Sequence, residues 1–411
     1  MKRPFSIGMS RSALLVIAGT ALIAATYGLV RLAYGLFLPD VQRDLGLTAS
    51  TAGAISSGAS LAYCLGAIVA FFRAPDHARS LLVAAGLTAG GGAACMAAAP
   101  TPFVFAVGAI VGSVGAGLAS PAMVTIVRRA VEERAVAGTQ AIVNAGTGPG
   151  LVLAGVLAFA FLPDWRLAWA IVSAFTLLVA GSAVALDRDQ HPGQDDQESA
   201  RGASSPRVPP RPWFGKHAHV VLGALAMGAA SAGVWNFGRA ALVEAGATQS
   251  DSIGAWIALG LGGTAVIGTT RLTSTLTPGA LWTLTCLAVS GATLTLALAP
   301  GATAFSLAAC IVFGWGYTAA TGALIAWTTQ IESPWSSSGT SLLFVVLVLG
   351  QAVGAVAVGG LIDHSGYGVA LTVAAVAAAA AAGASLVSPR RRRRRPRRGS
   401  AQARPRGRRR R

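Results

Sequence analysis

Apolar runs follow one another along almost the whole chain, each about as long as a membrane crossing. They fall at roughly 12–37, 51–72, 79–99, 103–127, 136–162 and 166–186, and then at 218–243, 252–270, 277–299, 302–328, 336–361 and 367–387. About 20 helical residues cross a hydrocarbon core, so the pattern predicts twelve transmembrane helices in an all-α polytopic membrane protein. A buried soluble core would not sustain so many long runs in succession. The longest polar interruption, Asp187 to Lys216, carries five basic and five acidic residues with several prolines, and divides six runs from six. Starts in the second set trail those in the first by 198 to 206 residues, a hydropathy repeat that predicts two parallel six-helix bundles. The expected organisation is a leader over 1–11, a bundle over 12–186, a linker over 187–217, a second bundle over 218–387 and a tail over 388–411.

Composition agrees: 54% of residues are hydrophobic and 11% charged, against about 25% charged in a soluble domain. The net charge of +17 is localised, because 14 arginines lie between Arg390 and Arg411, leaving 18 basic residues against 15 acidic ones elsewhere. This tail is low-complexity sequence expected to be disordered. Its plainest reading is a solvated topology anchor, with anionic membrane lipid as a candidate partner. Nucleic acid is disfavoured, since no aromatic residue interleaves the arginines for base stacking. In the loops, fourteen Lys and Arg fall on the side of the N-terminus and only Arg43 and Arg166 on the other. That asymmetry predicts a cell-membrane protein with both termini and the linker in the cytoplasm. The first apolar run is too long for the core of a cleaved signal peptide. Cys64, Cys95, Cys286 and Cys310 all lie inside apolar runs and read as small buried hydrophobes.

No hydrolase, dehydrogenase or nucleotide-binding constellation is present, and the five histidines fall in loops or at run ends. No enzyme activity, cofactor or metal site is therefore expected. Glycines within the runs, such as Gly108, Gly112 and Gly115, suit close approach of helices. An ionisable residue inside a span is costly unless it meets a cavity or partner, and Arg31 is the clearest one. It could face a central pathway and contact an anionic solute, or it could snorkel outward or pair with Asp40 or Asp44. For Arg239, near the far end of its run, snorkelling is the favoured reading. Asn144 with Gln140, Asn236 beside Trp235, Tyr317 and Gln351 are embedded polar residues that line a pathway or bond between helices. Asp40, Glu244, Asp251 and Asp363 sit at run ends or in outer loops, so no titratable group for proton coupling stands out within the spans.

Twelve spans in two halves resemble the major facilitator superfamily over residues 12–387. The segment Arg31-Leu-Ala-Tyr34 with Leu38-Pro39 and Asp44-Leu-Gly-Leu resembles a bacterial branch of it, as does Phe313-Gly-Trp-Gly-Tyr-Thr-Ala-Ala-Thr-Gly322. The resemblance implies a monomeric secondary transporter that rocks two bundles about a midplane site. It implies solute contacts from Arg31, Tyr34, Asn144, Asn236, Tyr317 and Gln351. The superfamily's loop motif between spans two and three is decayed: Gly66 matches its first glycine, Ala70 stands where Asp is expected, and Arg73 and Arg79 remain. Gly146-Thr-Gly148-Pro149-Gly150 is similar to the Gly-Pro element of superfamily exporters. Because proline removes a helical hydrogen bond, this element is a candidate hinge, and export is favoured over import. The rival from another class is a membrane-anchored sensor or scaffold acting through the basic tail.

Overall fold

The computed structural model describes residues 10–187 and 208–386. The extreme N-terminus, most of the linker and the arginine-rich tail lie outside the described residues. Within them the chain is helical throughout, with ten helices long and apolar enough to cross a membrane. These are α1 (Arg11–Leu45), α2 (Ala49–Ala97), α3 (Pro102–Ala130), α4 (Glu133–Phe161), α5 (Trp165–Leu186), α6 (Arg211–Glu244), α7 (Gln249–Thr273), α8 (Pro278–Leu298), α9 (Thr303–Ile331) and α10 (Ser333–Ser385). Thr48, Thr101, Asp164, Thr248 and Thr277 cap five of them, each accepting a backbone N–H from three residues on. The linker ends earlier than its polar composition suggests, since α6 starts at Arg211 and already buries Trp213 and His217.

Ten helices make twelve crossings because α2 and α10 each double back. Helicity in α2 is interrupted at His77, two residues after Pro75, and in α10 at Gly366, whose φ of 80° only glycine adopts without strain. The packing records each reversal. A Cβ on Gly66 would meet Val114 of α3 and one on Gly115 would meet Ala85 and Ala89. In a straight helix Gly66 and Ala85 would stand about 28 Å apart, yet both lie against the same turn of α3. Likewise both Val358 and Ala374 approach Gly233 of α6. The six-plus-six arrangement expected from hydropathy follows.

Close approach of backbones holds the helices together. Lipid tails are as apolar as leucine, so association in a bilayer relies on dense packing and polar contacts instead of the hydrophobic effect. The N-terminal bundle spans α1 to α5 and the C-terminal bundle α6 to α10. Between them, Gly35 of α1 packs on the Trp235 carbonyl of α6. Gly53 and Gly359 join the first limbs of α2 and α10, and Gly148, Gly155 and Gly260 join α4 to α7. Within the N-terminal bundle, Gly28 and Gly150 cross almost backbone on backbone, and a Cβ on either would fall under 3.0 Å from main-chain atoms. Gly28 lies in a π-helical stretch of α1, Ala24–Leu32, where the Ala33 N–H reaches five residues back to the Gly28 carbonyl at 3.1 Å. Such widened turns are frequent at functional sites, and this one carries Tyr27 and Arg31.

Substituting Gly150 by Val should therefore force α1 and α4 apart at a cost of about 1–3 kcal/mol. The thermal midpoint of the detergent-solubilised protein should fall. Gly181→Ala, where a Cβ meets nothing within 4 Å, should not lower it.

Candidate functional site

Arg31 projects from the π-helical turn of α1 into the seam between the bundles. Its Nη2 donates to Gln351 Oε1 of α10 at 2.8 Å, and Gln351 Nε2 donates to the Tyr317 hydroxyl of α9 at 2.9 Å. The guanidinium lies 4.7 Å from the ring centre of Tyr63 and 5.7 Å from that of Tyr27, a cation–π arrangement. The two tyrosine hydroxyls bond to each other. Tyr317 stands edge-on to Trp235 at 5.3 Å, and Trp235 in turn meets Phe313 and Trp256. The indole N–H groups of Trp235 and Trp256 are buried with no hydrogen-bond partner.

Next to this cluster is a cavity of about 30 Å³ lined from both bundles by Val30, Arg31, Tyr34, Ser56, Trp235 and Gln351 among others. That is room for about one water molecule. Ser56 donates to Asn236 Oδ1 at 2.7 Å across the seam, while the Asn236 amide is held by the Ala232 carbonyl of its own helix. The Tyr34 hydroxyl is already used by the Ala52 carbonyl at 2.9 Å, so this side chain offers the cavity its ring.

Of the residues singled out in the sequence, Arg31, Tyr34, Asn236, Tyr317 and Gln351 thus come together. Asn144 does not. It sits on an exposed face of α4 and accepts from Gln140 at 3.3 Å. Tyr27, Tyr63, Ser56 and Trp235 belong to the cluster and were missed. Tyr27 carries a local signal, four residues before Arg31, but nothing in the sequence joins Tyr63 or Ser56 to a partner so distant.

Two expectations about charge are overturned. Arg239 does not snorkel: it is 3% exposed and its Nη1 meets Asp40 Oδ2 at 2.6 Å, with Asp40 itself 5% exposed. Asp40 is thus a buried carboxylate inside the helical body, not a loop residue. Arg239 also donates to the Leu36 carbonyl at 2.5 Å and to Ser252 at 3.2 Å, satisfying more of its fork than a lone pair would. Arg31 consequently pairs with neither acid, because Asp40 is taken by Arg239 and Asp44 by Arg166.

Farther toward the same end, Asp363 closes the seam. Its two oxygens accept the Ala49 and Ser50 N–H groups at 3.1 and 2.9 Å, so a carboxylate of one bundle sits on the α2 N-terminus of the other. The Ser50 hydroxyl and these amides hold its pKa below the usual carboxylate range. Among the described residues, hydrogen bonds between the bundles run from the mid-depth cluster to this end. At the Arg11 end, no residue of α7 from Gly263 to Thr273 is buried, and Val143 is the one residue before Gly146 in α4 described as buried.

The family profile described as Major Facilitator Superfamily matches residues 20–334. The chain belongs to the major facilitator superfamily. A comparison with curated proteins returns no match. Among solved structures, the nucleoside transporter NupG is similar at a TM-score of 0.75 and 14% identity, covering 92% of this chain and 99% of that one. A mutant of the peptide transporter POT gives 0.73 at 13% identity, covering 94% and 95%. A bacterial homolog of the human lysosomal transporter Spinster gives 0.69 at 16% identity, covering 92% and 96%. At such identities the likeness is one of fold.

The superfamily's motif positions are also placed. Gly66 lies within α2 and packs on α3, Ala70 is fully buried, and Arg73 is exposed beside the His77 turn with Arg79 half-buried. Gly146 and Gly150 pack on the Thr20 and Ala24 carbonyls of α1, Gly148 meets Thr264 of α7, and regular helicity breaks at Gly146.

Arg239→Ala should leave the buried Asp40 with only the exposed Arg43, 3.5 Å away, as counter-charge and destabilise the protein by about 3 kcal/mol. The double variant with Asp40→Ala should recover a large part of that loss, read as thermal midpoints in detergent. For Asp363 the lowered pKa sets the sign. Its contribution is fully present above the ordinary value of 3.8 and is lost as pH falls through the lowered folded value. Asp363→Asn should speed hydrogen exchange at Ala49 and Ser50 at neutral pH, and the difference from wild type should shrink below 3.8 and vanish only once the pH is below the lowered folded value.

Proposed function

We propose that the protein is a secondary active transporter that carries a small solute through the seam between its two bundles. The observation that supports this most is the Arg31–Gln351–Tyr317 network, which places a cation and its polar partners between the halves at mid-depth. Rocking the bundles changes the distances across that seam while leaving each bundle intact. Arg31, Tyr34, Asn236, Tyr317 and Gln351 are the proposed solute contacts. Asn144 would join them only in a different arrangement of α4, and Gly146, Gly148, Pro149 and Gly150 are the proposed hinge for such a movement.

The loop charges favour the Arg11 end as the cytoplasmic one. On that reading the clasped end, with Asp40–Arg239 and Asp363, faces outward, and this conformation loads or releases solute on the inside. The Gly-Pro element favours export over import, and the basic tail would lie near anionic lipid at the inner surface. The cell membrane is the proposed location.

The test is solute flux in everted membrane vesicles across a compound panel, with and without a proton gradient. Arg31→Ala removes a charge-assisted hydrogen bond of about 1.5–3 kcal/mol. Transport efficiency should drop at least about tenfold, and unchanged flux would remove Arg31 from the path.

A further inference from the structure

From the surroundings of Arg31 we infer that the seam recognises an organic monoanion, a carboxylate joined to a flat apolar body, whose carboxylate takes the place of Gln351 Oε1 on the guanidinium. This inference rests on the transport reading of the same seam. The residues that line the cavity include one charged side chain, Arg31. Among the described residues no carboxylate pairs with Arg31, and its hydrogen-bond partner is the neutral amide oxygen of Gln351 at 2.8 Å. The fully buried arginine nearer the clasped end of the seam behaves differently from the half-buried Arg31: Arg239 is met by Asp40. A guanidinium kept inside a membrane body with only a neutral acceptor is a site in want of a negative charge.

Geometry selects the kind of anion. The Arg fork presents parallel N–H groups that suit the two oxygens of a carboxylate, whereas Gln351 offers one. A single lining cation matches a single negative charge, so dianions such as phosphate monoesters are left undercompensated. Two aromatic faces enter the lining, beside the hydroxyls of Ser56, Ser60 and Ser113: the Tyr34 ring, whose hydroxyl is engaged elsewhere, and Trp235 backed by Phe313 and Tyr317. Flat apolar groups pack well against such faces. The buried Trp235 N–H, without a partner, supplies a second donor at the same wall. In the clasped state the cavity of about 30 Å³ holds no such molecule, so Gln351 acts as a neutral placeholder that the solute displaces as the bundles part.

Equilibrium dialysis of the purified full chain with radiolabelled benzoate and indole-3-acetate, against benzamide and indole-3-acetamide, tests this. Both acids should bind saturably and both amides at least about tenfold more weakly, the loss expected for a charge-assisted contact. Gln351→Glu installs an internal carboxylate beside Arg31 and should weaken acid binding at least about tenfold. If Gln351→Glu fails to fold, Arg31→Gln serves instead, with loss of acid binding expected. Amides binding as well as acids, acid affinity unchanged in Gln351→Glu, or no saturable binding of either acid would each overturn the inference. Flux of a neutral or cationic solute without acid binding would sink it while leaving the transport reading in place. Acid binding without flux of any solute would do the reverse.

Discussion

The contact on which the arrangement of the two bundles depends is the ion pair between Asp40 and Arg239. Each charge is almost wholly removed from solvent, and each comes from a different bundle. Taking two ions out of water is costly, and their attraction compensates only when geometry is good and the remaining donors are satisfied. Both conditions hold, since Arg239 also reaches the Leu36 carbonyl and the Ser252 hydroxyl. Parting the bundles here requires that water reach both charges, so the pair has two comfortable states, buried together or solvated apart. An intermediate gap is unfavourable.

Glycine supplies the rest of the interface. Gly35, Gly53 and Gly359 let main chains of opposite bundles touch directly beside the ion pair, gaining dispersion contacts that larger residues would block. The Asp363 clasp on the N-terminus of α2 adds a polar contact at the very end. These contacts concentrate at one end, while the tips of α4 and α7 at the other end bury almost nothing. The molecule is thus clasped at one end of the seam and loose at the other.

The mid-depth cluster follows from that arrangement. With that end clasped, Gln351 lies within reach of Arg31 and Ser56 against Asn236. The π-helical turn of α1 places Arg31 beside the rings of Tyr27 and Tyr63. Two arginines embedded in the spans therefore have opposite chemistry: Arg239 is neutralised by Asp40, and among the described residues Arg31 is held by neutral and aromatic partners.

Much of this was legible in the sequence. Hydropathy alone determined the helical class, the approximate crossings and the division into six and six, because the lipid core leaves a backbone few other solutions. The intramembrane cost of charge likewise pointed to Arg31. Pairings between distant residues could not be read. Asp40 resembled a loop acid because it follows Pro39, and Arg239 resembled a snorkelling residue because it lies near a run's end. Their burial is created by packing one bundle on the other, 199 residues apart in the chain. Asn144 carried the same polar signal as Asn236, yet Asn236 is buried against Ser56 of the other bundle while Asn144 is exposed. Sequence determines what must enter the membrane; tertiary structure decides which charges meet there, because that depends on contacts no local pattern encodes.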